Sequence, residues 1–173
     1  MRLDLGAVAK GFAVDLVAES LQDLPSVAIN AGGDLYCRGR NLHGRPWSVG
    51  IRDPFRSSGL LLHIDVDGLA VCTSGSYERR LANGGHHLID PARGASAQGM
   101  VSCTVAGERA AIADALATAA FIMGPDRAIP FLTDQQVDAL LVDEAGYWHT
   151  VHAGQRVRFP EQRSALPPTP PSA

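Results

Sequence analysis

The stretch Ser26-Val-Ala-Ile-Asn-Ala-Gly-Gly-Asp-Leu-Tyr-Cys-Arg38 decides the fold class. It predicts a strand over Ser26–Asn30, a tight turn at Ala31-Gly32-Gly33 and a second strand over Asp34–Arg38. Paired glycines favour such a turn because they adopt positive φ angles at little steric cost. Two strands joined by so short a turn run antiparallel. The stretch therefore indicates a sheet built from hairpins.

The sequence outside this hairpin contains further strand patterns. Asp67-Gly68 is a favoured hairpin turn between two of them, and Glu144-Ala-Gly146 is the predicted turn of a last hairpin. These further strands are predicted over Trp47–Arg52, Leu60–Val66, Leu69–Thr73, Val101–Ala106, Val137–Val142 and Tyr147–Val151.

The spacing of apolar residues predicts two principal helices. The first covers Gly11–Leu24, where Pro25 ends a helical face formed by Val14, Val17, Ala18 and Leu21. The second covers Ala110–Met123 and is closed by Gly124-Pro125. A short helix is plausible over Asp126–Leu132. Two helices and many hairpin-joined strands indicate an α+β fold with a mainly antiparallel sheet.

Composition excludes several classes of protein. The 173 residues fit one domain, predicted over residues 1–159, before a proline-rich tail (160–173) that we expect to be disordered. A net charge of −3 argues against nucleic-acid binding. No apolar run is long enough to span a membrane, and the N-terminus lacks the pattern of a signal peptide, so the chain as written is predicted to be cytoplasmic. The cysteines are expected to be buried and reduced: Cys37, Cys72 and Cys103.

Lys10 is the only lysine among fifteen basic residues, and it ends the motif Asp4-Leu-Gly-Ala-Val-Ala-Lys10 before a predicted helix. A helix N-terminus with an added ammonium suits a phosphate group. The alternative is an ordinary helix start that Asp4 caps.

Three loop motifs could contribute to a binding site. Asn30-Ala-Gly-Gly-Asp34 lets a ligand approach the backbone closely, or it is a plain turn. Thr73-Ser-Gly-Ser-Tyr-Glu-Arg79 could hydrogen-bond a ligand, or it is a solvated loop. His86-His-Leu-Ile-Asp-Pro91 offers His87 and Asp90 for proton transfer.

The second helix carries Asp114 and Thr118 four residues apart, which places both on one face. A carboxylate and a hydroxyl form an oxygen site suited to magnesium. The alternative is an exposed polar stripe. The apolar face of this helix is expected elsewhere, along Ile112, Leu116, Ala119 and Met123.

In this order, the motifs between Asp4 and Gly124 resemble the ApbE family of FAD:protein FMN transferases. The resemblance implies a T-fold-like architecture and a magnesium-dependent reaction. In that reaction FMN passes from FAD to a threonine of an acceptor flavoprotein and AMP is released.

The resemblance also implies roles for individual residues. Asp114, Thr118 and the backbone carbonyl of Ala7 would bind Mg²⁺, and His87, supported by Asp90, would assist proton transfer. The residues that would contact FAD are Asp4, Lys10, Asn30, Gly32, Gly33, Ser74, Gly75, Tyr77, Glu78 and Leu88.

The resemblance covers only the second half of the family pattern, whose members are commonly exported and membrane-anchored. Three explanations stay open: the true start lies upstream, a partner chain or a homodimer completes the site, or the chain has lost the reaction. Two alternatives stay open: a magnesium-dependent FAD pyrophosphatase that releases FMN and AMP, and a truncated, non-catalytic flavin-binding protein.

Overall fold

The computed structural model describes residues 5–56, 58–78 and 84–160, so Asp4 and the tail beyond Pro160 lie outside the described residues. The predicted α+β class is confirmed, and within these ranges the strands pair antiparallel throughout. The short helix expected over Asp126–Leu132 is present and is longer, with ten residues. The helices are α1 (Ala9–Ser20), α2 (Ala110–Met123) and α3 (Pro125–Asp134). The strands are β1 (Val27–Ala31), β2 (Asp34–Arg38), β3 (Trp47–Arg52), β4 (Leu60–Val66), β5 (Leu69–Gly75), β6 (Ile89–Asp90), β7 (Ala95–Ser96), β8 (Met100–Gly107), β9 (Asp138–Asp143) and β10 (Trp148–His152).

A six-stranded sheet of order β1-β2-β5-β8-β9-β10 forms the centre of the fold. Its strands alternate between two cores, as β9 illustrates: Ala139 and Leu141 face the helices, while Leu140 and Val142 face the β3–β4 hairpin. Because both faces are covered, the fold has three layers. No helix in the described part of the chain has the length and hydropathy needed to cross a bilayer.

The hairpin predicted from the opening stretch is present. Asn30 pairs with Leu35 and Ala31 with Asp34. Gly32 and Gly33 have φ angles of 62° and 102°, which glycine adopts far more readily than other residues. The Gly33 N–H donates to Asn30 Oδ1 at 3.0 Å. This turn places Asp34 at the first position of β2, where its side chain is buried.

The predicted hairpin at Asp67-Gly68 is wrong. β4 pairs with β3, and β5 pairs with β2 and β8, so the turn carries the chain from the outer hairpin into the main sheet. Asp67 Oδ1 accepts the Gly39 N–H at 2.7 Å. A turn preference records where the chain reverses but not which strands pair afterwards.

The predicted buried faces of both helices need correction. In α1 the buried residues are Gly11, Val14, Asp15 and Ala18, and Val17 is 43% exposed. In α2 the ends match the prediction, but Ile112 is 52% exposed and the buried side includes Asp114. Small side chains such as Ala113 and Ala117 occupy the buried face, because α2 packs closely against both α1 and the sheet.

Asp15 caps α2 across the helix pair. Its carboxylate accepts the Ala110 N–H at 2.7 Å and the Ala111 N–H at 3.2 Å, and Arg109 Nε lies 3.5 Å from Oδ2. A negative charge at a helix N-terminus is favourable because it satisfies unpaired N–H groups and the helix dipole. A residue of α1 therefore performs the capping role for α2.

Removing this cap should destabilise the fold. We expect Asp15→Ala to lower the free energy of unfolding by about 2 kcal/mol, because the buried Ala110 N–H loses its acceptor. Asp15→Asn retains one acceptor and should cost less. Urea unfolding followed by circular dichroism measures both, with the exposed Asp23→Ala as control. Equal losses in the Asp15 and Asp23 variants would contradict the capping role.

The three cysteines are buried and free, as the sequence predicts. Burial raises the pKa of Cys37 to about 11 and that of Cys103 to about 12, and burial also raises the pKa of Cys72. Since the thiolate is the reactive form, we expect these thiols to react with a disulfide reagent at pH 8 at least about 100-fold more slowly in the native protein than in guanidinium. One rapidly reacting thiol in the native protein would refute this expectation.

Candidate functional site

Lys10 lies between two buried carboxylates that come from distant parts of the chain. Its Nζ donates to Asp34 Oδ2 and lies 3.3 and 3.4 Å from the two carboxylate oxygens of Asp114. Asp34 is 1% and Asp114 3% exposed, whereas the Lys10 side chain is 43% exposed. The three residues are here called the Lys10 cluster. Lys10 belongs to α1, Asp34 to β2 and Asp114 to α2.

The close approach of α1 and α2 builds this cluster. Gly11 lies directly against Ala110 and Ala111, and its N–H donates to Asp114 Oδ2 at 3.1 Å. Only a residue without a side chain permits this contact, since a Cβ on Gly11 would lie 2.3 Å from the Ala110 carbonyl oxygen. Lys10 is thereby held beside Asp114.

The cluster combines two carboxylates with one ammonium. Burial raises the pKa of the Asp34 carboxyl, and the nearby charge of Asp114 raises it further. The hydrogen bond from Lys10 works in the opposite direction. Burial works to lower the pKa of Lys10, but the hydrogen bonds and charges of Asp34 and Asp114 together raise it. Lys10 therefore remains an ammonium at neutral pH, and the cluster attracts further positive charge.

Two hydroxyl groups extend this polar region by one helical turn. Thr118, four residues after Asp114 on α2, exchanges a hydrogen bond of 2.9 Å with the buried Ser74 at the end of β5. Asp114 and Thr118 thus both face inward, and not outward as a solvated stripe would. The region now contains two carboxylates, two hydroxyls and one ammonium.

The N–H groups at the start of α1 are less available than the sequence suggests. Those of Val8 and Ala9 donate to the Leu5 carbonyl, and that of Gly11 donates to Asp114. The expectation that free N–H groups here hold a phosphate is wrong for these three. Any positive charge presented to a ligand comes chiefly from Lys10. Ala7 lies in the turn before α1 and is half-buried.

Asp34 is the site residue that sequence reasoning missed. The predicted FAD contacts include its neighbours Asn30, Gly32 and Gly33, which are exposed in the hairpin turn. Asp34 follows the glycines and points into the fold toward Lys10. The signal that could have found it is the single lysine of the chain, because a half-buried ammonium requires an acidic partner.

The loop after β5 holds a packed aromatic residue. A Cβ on Gly75 would lie 2.6 Å from the Tyr77 ring, so the ring rests on the glycine. The Arg52 guanidinium stands 5.7 Å from the Tyr77 ring centroid, and its Nη1 is 3.4 Å from Glu78 Oε1. Burial raises the pKa of Tyr77, with Glu78 adding to the effect and Arg52 opposing it. Tyr77 and Glu78 are therefore ordered by local contacts.

The adjacent histidines differ sharply in environment. His86 Nε2 lies 2.9 Å from the Ala97 carbonyl, the Leu88 N–H donates to His86 Nδ1 at 3.3 Å, and Phe121 packs edge-on at 5.5 Å. These partners require the proton on Nε2, so His86 is a structural residue. His87 is exposed, and Leu88 is buried. Of the pair, His87 is the more exposed, while both ring nitrogens of the half-buried His86 have partners within the fold.

Asp90 shapes its own turn. Its Oδ1 accepts the Ala92 N–H at 2.9 Å, and its carbonyl accepts the Gly94 N–H at 2.8 Å, between β6 and β7. The contact with the Ala92 N–H occupies one carboxylate oxygen of Asp90. A supporting role toward His87 would have to use the other oxygen.

Two clefts flank these features. A small cleft of about 150 Å³ is lined by residues that include Ser76, His86 and Glu144. Ser76 directly precedes Tyr77 in the sequence, and His86 directly precedes His87. A larger one of about 430 Å³ lies at the start of α2 and the end of β8, around Glu108 and Arg156, and contains none of the predicted site residues. Chemistry and not cleft size therefore identifies the candidate site.

The donor set suits a hard cation that shares its coordination with a ligand. Within residues 5–56, 58–78 and 84–160, no group of three or more His, Cys, Asp or Glu side chains is arranged to hold a metal. Magnesium typically takes one or two carboxylates and completes its octahedron with water and substrate phosphate. Asp114 and Thr118 fit that kind of site, but they do not form a closed metal cage.

Comparison with known proteins gives consistent results. The sequence profile of the ApbE family matches residues 1–141. A relative from Treponema pallidum, named FAD:protein FMN transferase, is 37% identical over 158 residues, which cover 82% of this chain and 44% of that protein. A relative of the same name from Rhodobacter capsulatus is 41% identical over 133 residues, covering 73% of this chain and 25% of that protein.

Solved structures share the same fold. The crystal structure of the ApbE protein from Thermotoga maritima superimposes with a TM-score of 0.80 at 34% identity, covering 89% of this chain and 52% of that one. The flavin transferase ApbE from Vibrio cholerae superimposes with a TM-score of 0.78 at 29% identity, covering 88% of this chain and 52% of that one. The chain spans about half the length of these structures. On the extent of the profile match and the shared fold, this chain belongs to the ApbE family.

Proposed function

We propose that this chain takes part in transferring FMN from FAD to a threonine of an acceptor flavoprotein, with Mg²⁺ and release of AMP. The observation that carries the proposal is the Lys10 cluster, in which residues 24 and 104 positions apart converge beside Thr118. Relatives with 37% and 41% identity are named FAD:protein FMN transferase.

The metal would bind at the oxygen-bearing side of the cluster. Asp114, Thr118 and the carbonyl of Ala7 would hold Mg²⁺, which when bound neutralises phosphate charge and acts as a Lewis acid. The fit rests on the inward-facing carboxylate of Asp114 and the adjacent hydroxyls of Thr118 and Ser74.

Lys10 would bind the pyrophosphate of FAD. Its ammonium is partly exposed and is oriented by Asp34 from within the fold. Phosphoryl-type transfer depends mainly on positioning and on stabilising charge, so an oriented ammonium would contribute directly by binding the phosphates. Asp34 would act as a positioning residue, because it is buried and holds Lys10 from within the fold.

The remaining predicted residues would line the flavin and nucleotide. The exposed turn formed by Asn30, Gly32 and Gly33 would let the ligand approach the backbone. The end of β5 would supply Ser74 and Gly75, and the loop after it Tyr77 and Glu78. Leu88 would offer a backbone contact through its carbonyl, which also accepts the Ala97 N–H at 2.9 Å, since its N–H donates to His86 Nδ1. Asp4 belongs to the same proposed set but lies outside the described residues.

His87 would take the proton in the transfer step. The threonine Oγ of the acceptor forms a bond to the FMN phosphorus, the bond from that phosphorus to the bridging oxygen breaks, and AMP leaves with the electron pair. The proton of the threonine hydroxyl passes to His87, and Asp90 would support the imidazole. His87 suits this role because it is exposed beside the anchored His86.

The test is direct flavinylation. The chain is incubated with FAD, MgCl₂ and an acceptor flavoprotein domain, and the denatured acceptor is examined for covalent flavin fluorescence together with AMP release. We expect labelling that disappears with EDTA and with an acceptor whose target threonine is alanine.

Other outcomes distinguish the alternatives. Free FMN and AMP without labelled acceptor would identify a FAD pyrophosphatase. FAD binding without magnesium-dependent products would identify a non-catalytic flavin-binding protein. Either result overturns the transferase proposal.

A further inference from the structure

One side of α1 turns apolar side chains to solvent. Leu5, Ala9, Phe12 and Leu16 recur at helical spacing, and the Ala9 N–H donates to the Leu5 carbonyl at 2.9 Å, so the spacing continues into the turn before the helix. Leu5 is 63%, Phe12 53% and Leu16 50% exposed. We call this the α1 outer face; Ala13 and Val17 flank it, both exposed. Single exposed apolar residues are ordinary, but a contiguous stripe marks an interaction surface.

Apart from the exposed Glu19 near its end, the charges of α1 point the opposite way. Between Leu5 and Ala18 the only charged residues are Lys10 and Asp15. Lys10 is directed into its cluster, and Asp15 is buried against the start of α2. A surface helix normally carries its charges outward and its apolar face inward. The inward side of α1 carries the buried Val14 and Ala18, so the helix is apolar on two sides, which is typical of a helix that lies between two layers of protein.

The length of the relatives indicates what the second layer is. This chain matches 44% of the Treponema pallidum relative and 52% of the Thermotoga maritima structure, so about half of each relative lies outside the match. We infer that the α1 outer face docks the polypeptide corresponding to that unmatched half. The occupant presents an apolar surface, because the face carries no charge to pair with.

The position of the face gives the docking a consequence for the candidate site. Lys10 lies on the same helix, between Ala9 and Gly11, and is itself partly exposed. A polypeptide that covers the whole α1 outer face reaches Ala9, directly before Lys10, and so comes to the edge of the Lys10 cluster. This inference concerns binding alone, so its test requires no turnover.

The test uses co-expression. The full chain is produced together with the unmatched half of the Thermotoga maritima ApbE protein, and complexes are measured by size-exclusion chromatography with light scattering. We expect a one-to-one complex, and we expect the double variant Phe12→Glu/Leu16→Glu to reduce its yield at least about 10-fold. Leu42→Glu is the matched control, because Leu42 is fully exposed in the β2–β3 connection, and it should leave the yield unchanged.

The chain alone provides the check on folding. Because Phe12 and Leu16 are exposed, the double variant should unfold at the same urea concentration as the unmodified chain. A loss of stability in the isolated variant would show that the face is already packed and would overturn the inference. The inference also fails if no complex forms, if the double variant binds equally well, or if the chain forms a homodimer that depends on Phe12 and Leu16.

Discussion

Replacing Asp114 with asparagine is expected to lower magnesium-dependent product formation from FAD by at least about 100-fold, because a charged ligand to the metal contributes roughly 3 kcal/mol or more to the transition state. Asparagine has nearly the same size and keeps an oxygen that can accept the Gly11 N–H, now at 3.1 Å from Asp114. The fold should therefore survive while the proposed metal site loses the charge of Asp114. AMP release at increasing magnesium concentration measures the effect.

A matched control separates this effect from a general loss of acidic charge. Asp126 is an exposed aspartate in the first turn of α3, and Asp126→Asn should leave AMP release unchanged. The thermal midpoint of Asp114→Asn should stay near that of the unmodified chain, since two carboxylates beside one ammonium repel each other. Full turnover in a folded Asp114→Asn protein would remove the metal role proposed for this residue.

Replacing Gly11 with alanine is expected to destabilise the fold by about 3 kcal/mol or more. The added Cβ would lie 2.3 Å from the Ala110 oxygen and 2.8 Å from the Ala111 Cα. These are backbone atoms at the start of α2, so no flexible side chain can move aside. In a helix, propensity alone would make this substitution stabilising by up to about 1 kcal/mol. The sign of the measured change therefore shows whether packing outweighs propensity.

Urea unfolding compares Gly11→Ala with Gly107→Ala, where the new Cβ would meet Val137 at an ordinary 3.7 Å. We expect the Gly107 variant to remain close to the unmodified chain. We also expect Gly11→Ala to weaken the Lys10 cluster, because α1 must move away from Asp114. Unchanged or increased stability in Gly11→Ala would contradict the close contact between the helices.

The elements that the sequence predicts well are those whose signals are local. The hairpin over Val27–Arg38 follows from two paired glycines between short apolar runs, and α2 follows from apolar spacing closed by Gly124. Both depend on residues within a few positions of one another. The motif order likewise identifies the family, and the profile match over residues 1–141 confirms it.

The predictions that failed depend on distant partners. Asp67-Gly68 was predicted to close a hairpin, but the strands on its two sides join different sheets. The alternative interpretation of Asp114 and Thr118 as an exposed polar stripe is wrong, because the partners of Asp114 on α1, Lys10 and Gly11, are more than one hundred positions away. The predicted roles of His87, Asp90 and the flavin-contacting residues rest on the resemblance and stay predictions.

By itself, the sequence determined the α+β class, most element boundaries and the family, because turn residues and apolar spacing act over short distances. Only the tertiary structure decided which charges meet: Lys10 with Asp34 and Asp114, and Asp15 with the first turn of α2. The physical reason is that the contact between α1 and α2 depends on the absence of a side chain at Gly11. That requirement comes from two backbones packed together, and no local pattern along the chain records it.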